Sequence, residues 1–164
     1  MSPFHHRDPG LVGAAFRLRD VYGEVICDGN HSNINSLNNS FMSKGRDYAI
    51  MISDSLMAKG CPVGSKFLFG GNEIEVYPDG SAHLTSTKGL AGSTLRINRG
   101  LEILVEKAGV PFDYAINSCT LNPARALGVD DRKGKICTGY DADIVVLNND
   151  YDVVQTYARG VACK

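Results

Sequence analysis

Two apolar runs in the first third of the chain set the pattern. Residues 21–28 (VYGEVICD) are rich in β-favouring side chains and stop at the turn signal Asp28-Gly29-Asn30. Residues 48–53 (YAIMIS) are apolar without alternation and deliver Asp54 to their carboxyl end. Runs of this kind predict strands covered on both faces, as in parallel sheets. Between them Ile34, Leu37 and Phe41 recur at helical spacing, after Ser32 or Asn33 as a cap and as far as Gly45. The order strand, helix, strand gathers Asp28, Asn30, His31 and Asp54 at the carboxyl ends of two successive parallel strands, the edge at which α/β folds bind ligands. A short helix over about 11–18 precedes them, after Pro9-Gly10.

The pattern then changes. Residues 66–84 alternate around Asn72 and again around Asp79-Gly80, which predicts one or two hairpins. The segment 89–93 (GLAGS) is small and flexible. Ser93 is placed to cap a helix carrying Leu101, Leu104, Val105 and Ala108 on one face and closed by Gly109. Two shorter helices follow, over about 113–119 and from Asn122-Pro123 to Gly128, with the proline at the first helical position. From Gly134 the chain reads as all-β, with strands at 144–147 and 153–158. A boundary near Val129 divides it into 1–128 and 129–164.

The length of 164 residues is too short for a complete (β/α)8 barrel, which needs roughly 200 residues or more. Seventeen Lys and Arg against 18 Asp and Glu give a net charge of −1, which argues against a nucleic-acid partner. No stretch approaches the roughly 20 apolar residues of a membrane span, and the N-terminus lacks a secretory pattern. Five cysteines without a C-x-x-C pair read as reduced thiols of a cytoplasmic protein, packed as filler rather than acting as nucleophiles.

His31 and Asp54 form the sharpest candidate pair. A carboxylate at a strand end can act as general base toward a metal-bound water, and a histidine there can bond substrate or ligate a metal. The plainer alternative is a loop-capping Asp54 and a solvated His31. Arg7, beside His5 and His6, offers a planar fork suited to phosphate or carboxylate, unless this stretch is an exposed tail. The free amides of the loop Gly89-Leu90-Ala91-Gly92 suit a close ligand, although a loop without one is the commoner case. Asp141 and Asp143 read as structural. There is no H-x-H, and the His and carboxylates are too few for a complete metal site.

Taken in order, MSPFHHRDPGLVGAAF, ICDGNH, SDS 22 residues after its histidine, GLAGS and the tail 122–160 resemble the N-acetylglucosamine-6-phosphate deacetylase family of the amidohydrolase superfamily. The tail matches many amidohydrolases; the other segments are narrower. The resemblance implies an α/β fold: the incomplete C-terminal part of a (β/α)8 TIM barrel, followed by C-terminal strands of a small β-sandwich domain. It makes Asp54 the general acid/base, His31 a substrate contact that polarises or positions, and Arg7 the holder of the sugar phosphate, reaching a neighbouring subunit of a dimer. Leu90, Ala91 and Gly92 would meet substrate through their backbone.

The family's divalent ion, zinc or iron, would be held by residues expected upstream of Met1, so the chain is expected to bind no metal and to be inactive alone. Exposed faces of an incomplete barrel would make it self-associate. The sequence departs from the family at 53–60 (SDSLMAKG), where T-D-A-x-x-P-x-G is usual: the aspartate is kept, but the proline and the small residue after it are lost. Two alternatives stay open. One is a non-catalytic remnant that binds a sugar phosphate or self-associates; the other is an amidohydrolase acting on a cyclic amide, which the Arg7 turn and GLAGS argue against.

Overall fold

A computed structural model describes residues 3–163. Helix α1 (Gly10–Arg17) leads into strand β1 (Gly23–Ile26), helix α2 (Ile34–Tyr48) and strand β2 (Ala49–Ile52). The two strands pair in parallel, from Gly23 opposite Ala49 to Ile26 opposite Ile52, so the expected strand, helix, strand unit is present. Asn33 caps α2, its side chain accepting from the Asn35 amide at 2.9 Å. Gly45 leaves helical geometry (φ 68°, ψ −172°), so the regular helix closes where the pattern placed its end.

Two buried polar side chains hold this unit together. Asn122, fully buried, donates to the carbonyls of Arg46 at 2.9 Å and Ala49 at 2.8 Å, groups left over at the junction of α2 with β2. Lys44 donates to the carbonyls of Leu18 and Val21 at 2.7 Å each and fixes the connector between α1 and β1. Burial lowers the pKa of its ammonium.

An antiparallel sheet of β3 (Lys66–Phe69), β4 (Asn72–Val76) and β5 (Ala82–Leu84) follows, with its own small core of Ala58, Ile74 and Val76. Helix α3 (Ile97–Glu102) runs into a π-helical turn over Ile103–Lys107, in which the Ala108 amide reaches back to Ile103 at 2.9 Å. Helices α4 (Phe112–Cys119) and α5 (Leu121–Ala126) complete the main core. Its centre comprises Cys27, Leu37, Phe41, Met51, Leu101 and Leu104, which join both parallel strands to α2 and α3. The chain ends in an antiparallel sheet of β6 (Ile144–Leu147), β7 (Val153–Ala158) and β8 (Val161–Ala162).

Two local expectations are corrected. Ser93 is not a helix cap: α3 begins at Ile97, with Arg96 in the cap position and no side-chain cap bond. Pro123 is the third residue of α5 rather than the first, a position where the missing N–H still costs no helical bond. Strand β8 was not expected from the pattern, because two residues show no periodicity.

Candidate functional site

The register of β1 with β2 ends at Ile26 opposite Ile52. Asp28 and Asp54 each lie two residues beyond the last paired position, so the two strand ends form one rim. A third segment joins this rim. Ser93 bridges Ser55 in parallel: its amide donates to the Asp54 carbonyl at 2.8 Å, and its own carbonyl accepts from the Leu56 amide at 2.9 Å. The Ser93 hydroxyl donates to the Ser53 carbonyl and accepts from the Leu95 amide. The residue read as a cap is therefore a tether between the GLAGS loop and the end of β2.

Asp54 is exposed and adopts a left-handed backbone, φ 48°, which an aspartate tolerates better than most residues. Gly92, φ 61°, lies against it so closely that a Cβ there would be 3.0 Å from the Asp54 carbonyl oxygen and 2.6 Å from Leu56 Cγ. Only glycine fits both the conformation and the space.

The other end of the loop is held by β5. The Leu84 amide donates to Gly89 and the Ala91 amide to Ala82, both at 2.9 Å, while His83 Nδ1 donates to the Lys88 carbonyl at 2.7 Å. Among the described residues the amides of Leu90 and Gly92 have no protein acceptor, whereas that of Ala91 is used. Behind the loop, the Ser81 hydroxyl donates to Asp79 at 2.5 Å and lies 2.8 Å from His83 Nε2. Bonds from the Ser81 hydroxyl and amide hold the Asp79 carboxyl below its ordinary pKa. The hairpin pattern predicted these strands but not this clasp on the loop.

His31 is not a free turn residue. Asp28 accepts from the amides of Asn30 and His31 at 2.9 Å each through Oδ1, and its Oδ2 lies 2.7 Å from His31 Nδ1. The Asp28 side chain is only 7% exposed, that of His31 20%. The spacing D-G-N-H carried a signal for this, since an aspartate before a glycine turn commonly bonds backbone two or three residues on.

Arg7 lies exposed in a turn closed by the Asp8 amide on the His5 carbonyl at 3.0 Å; no hydrogen bond or ion pair joins it to the rim. Asp141 and Asp143 both pair with Lys133, and bonding to that lysine is the largest cause of their lowered pKa, as suits structural residues. Among the described residues no three His, Cys, Asp or Glu side chains converge. Asp54 and the open nitrogen of His31 offer two donors at most, fewer than the three protein ligands of a catalytic zinc, so these residues do not themselves form a metal centre. The thiols of Cys27 and Cys119 are raised by burial, Cys119 to about 11, so neither is a nucleophile near neutral pH.

Two parallel strand ends with Asp28 and Asp54 at their rim, and the GLAGS loop tethered beside them, give an α/β arrangement shared with the amidohydrolase class. The model of the amidohydrolase family matches residues 60–163, and the chain belongs to that family. It is 39% identical over 160 residues to the N-acetylglucosamine-6-phosphate deacetylase of Bacillus subtilis (strain 168), covering 98% of this chain and 40% of that protein. It is 33% identical to the putative N-acetylgalactosamine-6-phosphate deacetylase of Escherichia coli (strain K12), covering 98% of this chain and 93% of that one. The crystal structure of N-acetylglucosamine-6-phosphate deacetylase from Pasteurella multocida superimposes with a TM-score of 0.91 at 29% identity, over 99% of this chain and 42% of that structure. The fold expectation holds: the chain has the fold of about two fifths of that enzyme, a TIM-barrel amidohydrolase. The chain thus spans about 40% of the length of most curated relatives it matches.

Two predictions follow from this geometry. Gly92→Ala should destabilise the chain by about 1–3 kcal/mol and release the Ser93 amide from Asp54. Hydrogen exchange at Ser93 unchanged in that variant would show the tether to be unimportant. With a thiol reagent at pH 7.5 on the native chain, the exposed Cys137 and Cys163 should react and Cys27 and Cys119 should stay unlabelled; rapid labelling of Cys27 would contradict its burial.

Proposed function

We propose that the chain supplies the proton-handling carboxylate and the sugar-binding rim of a hydrolase that converts N-acetylglucosamine 6-phosphate and water to glucosamine 6-phosphate and acetate. The observation that carries the reading is the bond from the Ser93 amide to the Asp54 carbonyl, which fixes the GLAGS amides beside the candidate acid/base residue. In this reading Asp54 takes a proton from the attacking water. Water oxygen bonds to the acetyl carbon, the amide C–N bond breaks, and Asp54 returns the proton to the amine nitrogen. The free amides of Leu90 and Gly92 and the ring of His31 position the sugar, and Arg7 binds its phosphate from the neighbouring subunit of a homo-oligomer. Residues 1–128 belong to the barrel part and 129–164 to the small β domain.

Amidohydrolases are generally metal-dependent, and zinc or iron is the ion the resemblance implies. The described residues form no such centre, and their own chemistry is proton handling and positioning. We place the protein in the cytoplasm, where its five free thiols stay reduced. No helix of the described residues is long and apolar enough to cross a membrane. The relatives named above act on aminosugar phosphates by their names, and nothing among them supports the cyclic-amide alternative.

Calorimetric titration tests the substrate. The chain should bind N-acetylglucosamine 6-phosphate more tightly than the unphosphorylated sugar, lose that preference in Arg7→Ala, keep it in Asp54→Asn, and release no acetate alone. Equal affinity for both sugars would reject the phosphate reading; acetate release with stoichiometric bound metal would reject inactivity of the separate chain.

One observation favours self-association as well. The β6–β8 sheet leaves Val145, Val153, Val154 and Val161 each at least half exposed, and β1 pairs only with β2 among the described residues. Light scattering should show oligomers that grow with concentration; a monodisperse monomer at about 100 μM, within the range where exposed apolar surface and strand edges associate, would count against it.

A further inference from the structure

We infer that Asp28 is a positioning residue that fixes the proton on His31 Nδ1 and leaves Nε2 as the nitrogen that meets substrate. The carboxylate lies at the bottom of the turn, almost fully covered, and among the described residues its bonds run to this one loop: two amides on Oδ1, the imidazole on Oδ2. A buried carboxylate can only accept, so the nitrogen 2.7 Å away must carry a hydrogen. That settles the neutral tautomer as Nδ1–H. Nε2 has no protein partner among the described residues, and part of the ring is open to solvent.

The consequence is chemical. As a neutral ring His31 presents a lone pair at Nε2, which accepts from a sugar hydroxyl. With one more proton it presents Nε2–H, which donates to a carbonyl or phosphate oxygen. Asp28 holds Nδ1–H in both states, so the change needs no rotation of the ring. The two amide bonds on Oδ1 keep the carboxylate itself from turning, and Cys27, wholly buried, anchors the strand end one residue before it. Asn33 could not replace it, because its side chain is committed to capping α2.

The assignment of Nε2 to substrate rests on the sugar-phosphate reading, whereas the tautomer does not. Nitrogen-15 correlation spectra of the imidazole, recorded on the 164-residue chain above the titration range of the ring, read the tautomer directly. Wild type should show Nδ1–H. Asp28→Asn keeps an oxygen for the two amides but turns an N–H toward the ring, so His31 should move its proton to Nε2. A wild-type ring protonated at Nε2, or one whose tautomer is the same in Asp28→Asn, overturns the inference. If Asp28→Asn does not fold, the wild-type spectrum decides alone. Titration with N-acetylglucosamine 6-phosphate should then shift Nε2 and leave Nδ1 in place, with affinity falling roughly 10- to 100-fold in Asp28→Asn, the scale of loss found when the partner orienting a metal-ligating histidine is removed. A wild-type Nδ1–H ring that the sugar phosphate does not perturb would reject the substrate reading and uphold the role of Asp28.

Discussion

The parallel bridge between Ser55 and Ser93 is the constraint on which the site depends. Through it the chain from β5 to α3 is hydrogen-bonded to the end of β2 rather than looping freely over it. Asp54 adopts a left-handed backbone in that bridge, with its carbonyl given to Ser93. Strain of this kind persists only where neighbours determine it, and here they do so on both sides. The Ser93 hydroxyl secures Ser53 before the aspartate, and Gly92 lies against its carbonyl. Without a glycine at that position the loop would stand off from the Asp54 carbonyl and from Leu56.

Each rim segment is anchored by a core residue close in sequence. Cys27 precedes Asp28, Met51 lies three residues before Asp54, and Leu95 follows Ser93 by two, and all three belong to one buried cluster with Phe41 and Leu104. Close packing in such a cluster transmits position well, because interiors have few voids into which a side chain can relax. The polar groups at the rim therefore inherit their spacing from apolar contacts beneath them. This division of labour explains why Asp54 can be exposed, with no side-chain ion pair among the described residues, while its carbonyl is held by the Ser93 amide and covered by Gly92.

What was legible in the sequence was whatever depends on neighbours along the chain. The apolar runs 21–28 and 48–53 showed the parallel strands, and Gly45 showed the end of the helix between them. Ser93 was misread because its partners, Ser53 and Asp54, are about 40 residues away, whereas a cap would have been local. The π-helical turn after α3 was hidden for a related reason. Leu101, Leu104 and Ala108 suit one face of an ordinary helix, and the extra residue per turn appears only in the bond from Ala108 to Ile103. Asp28 differs, since its turn chemistry is local and the spacing D-G-N-H displays it.

The β3–β5 sheet gives the loop a second anchor that follows from the same logic. A loop fixed only at Ser93 could swing about Gly92, whose backbone is permissive. Two amide bonds to β5 and the bond from His83 to Lys88 remove that freedom at the other end. His83 is itself held by stacking on Tyr77, 4.3 Å between ring centres, and by the hydroxyl of Ser81, which Asp79 in turn fixes. The β3–β5 sheet has its own apolar centre in Ala58, Ile74 and Val76, which supports the loop from behind. A loop held at both ends presents its free amides in one arrangement, and binding through backbone amides is selective only when that arrangement exists before the ligand arrives.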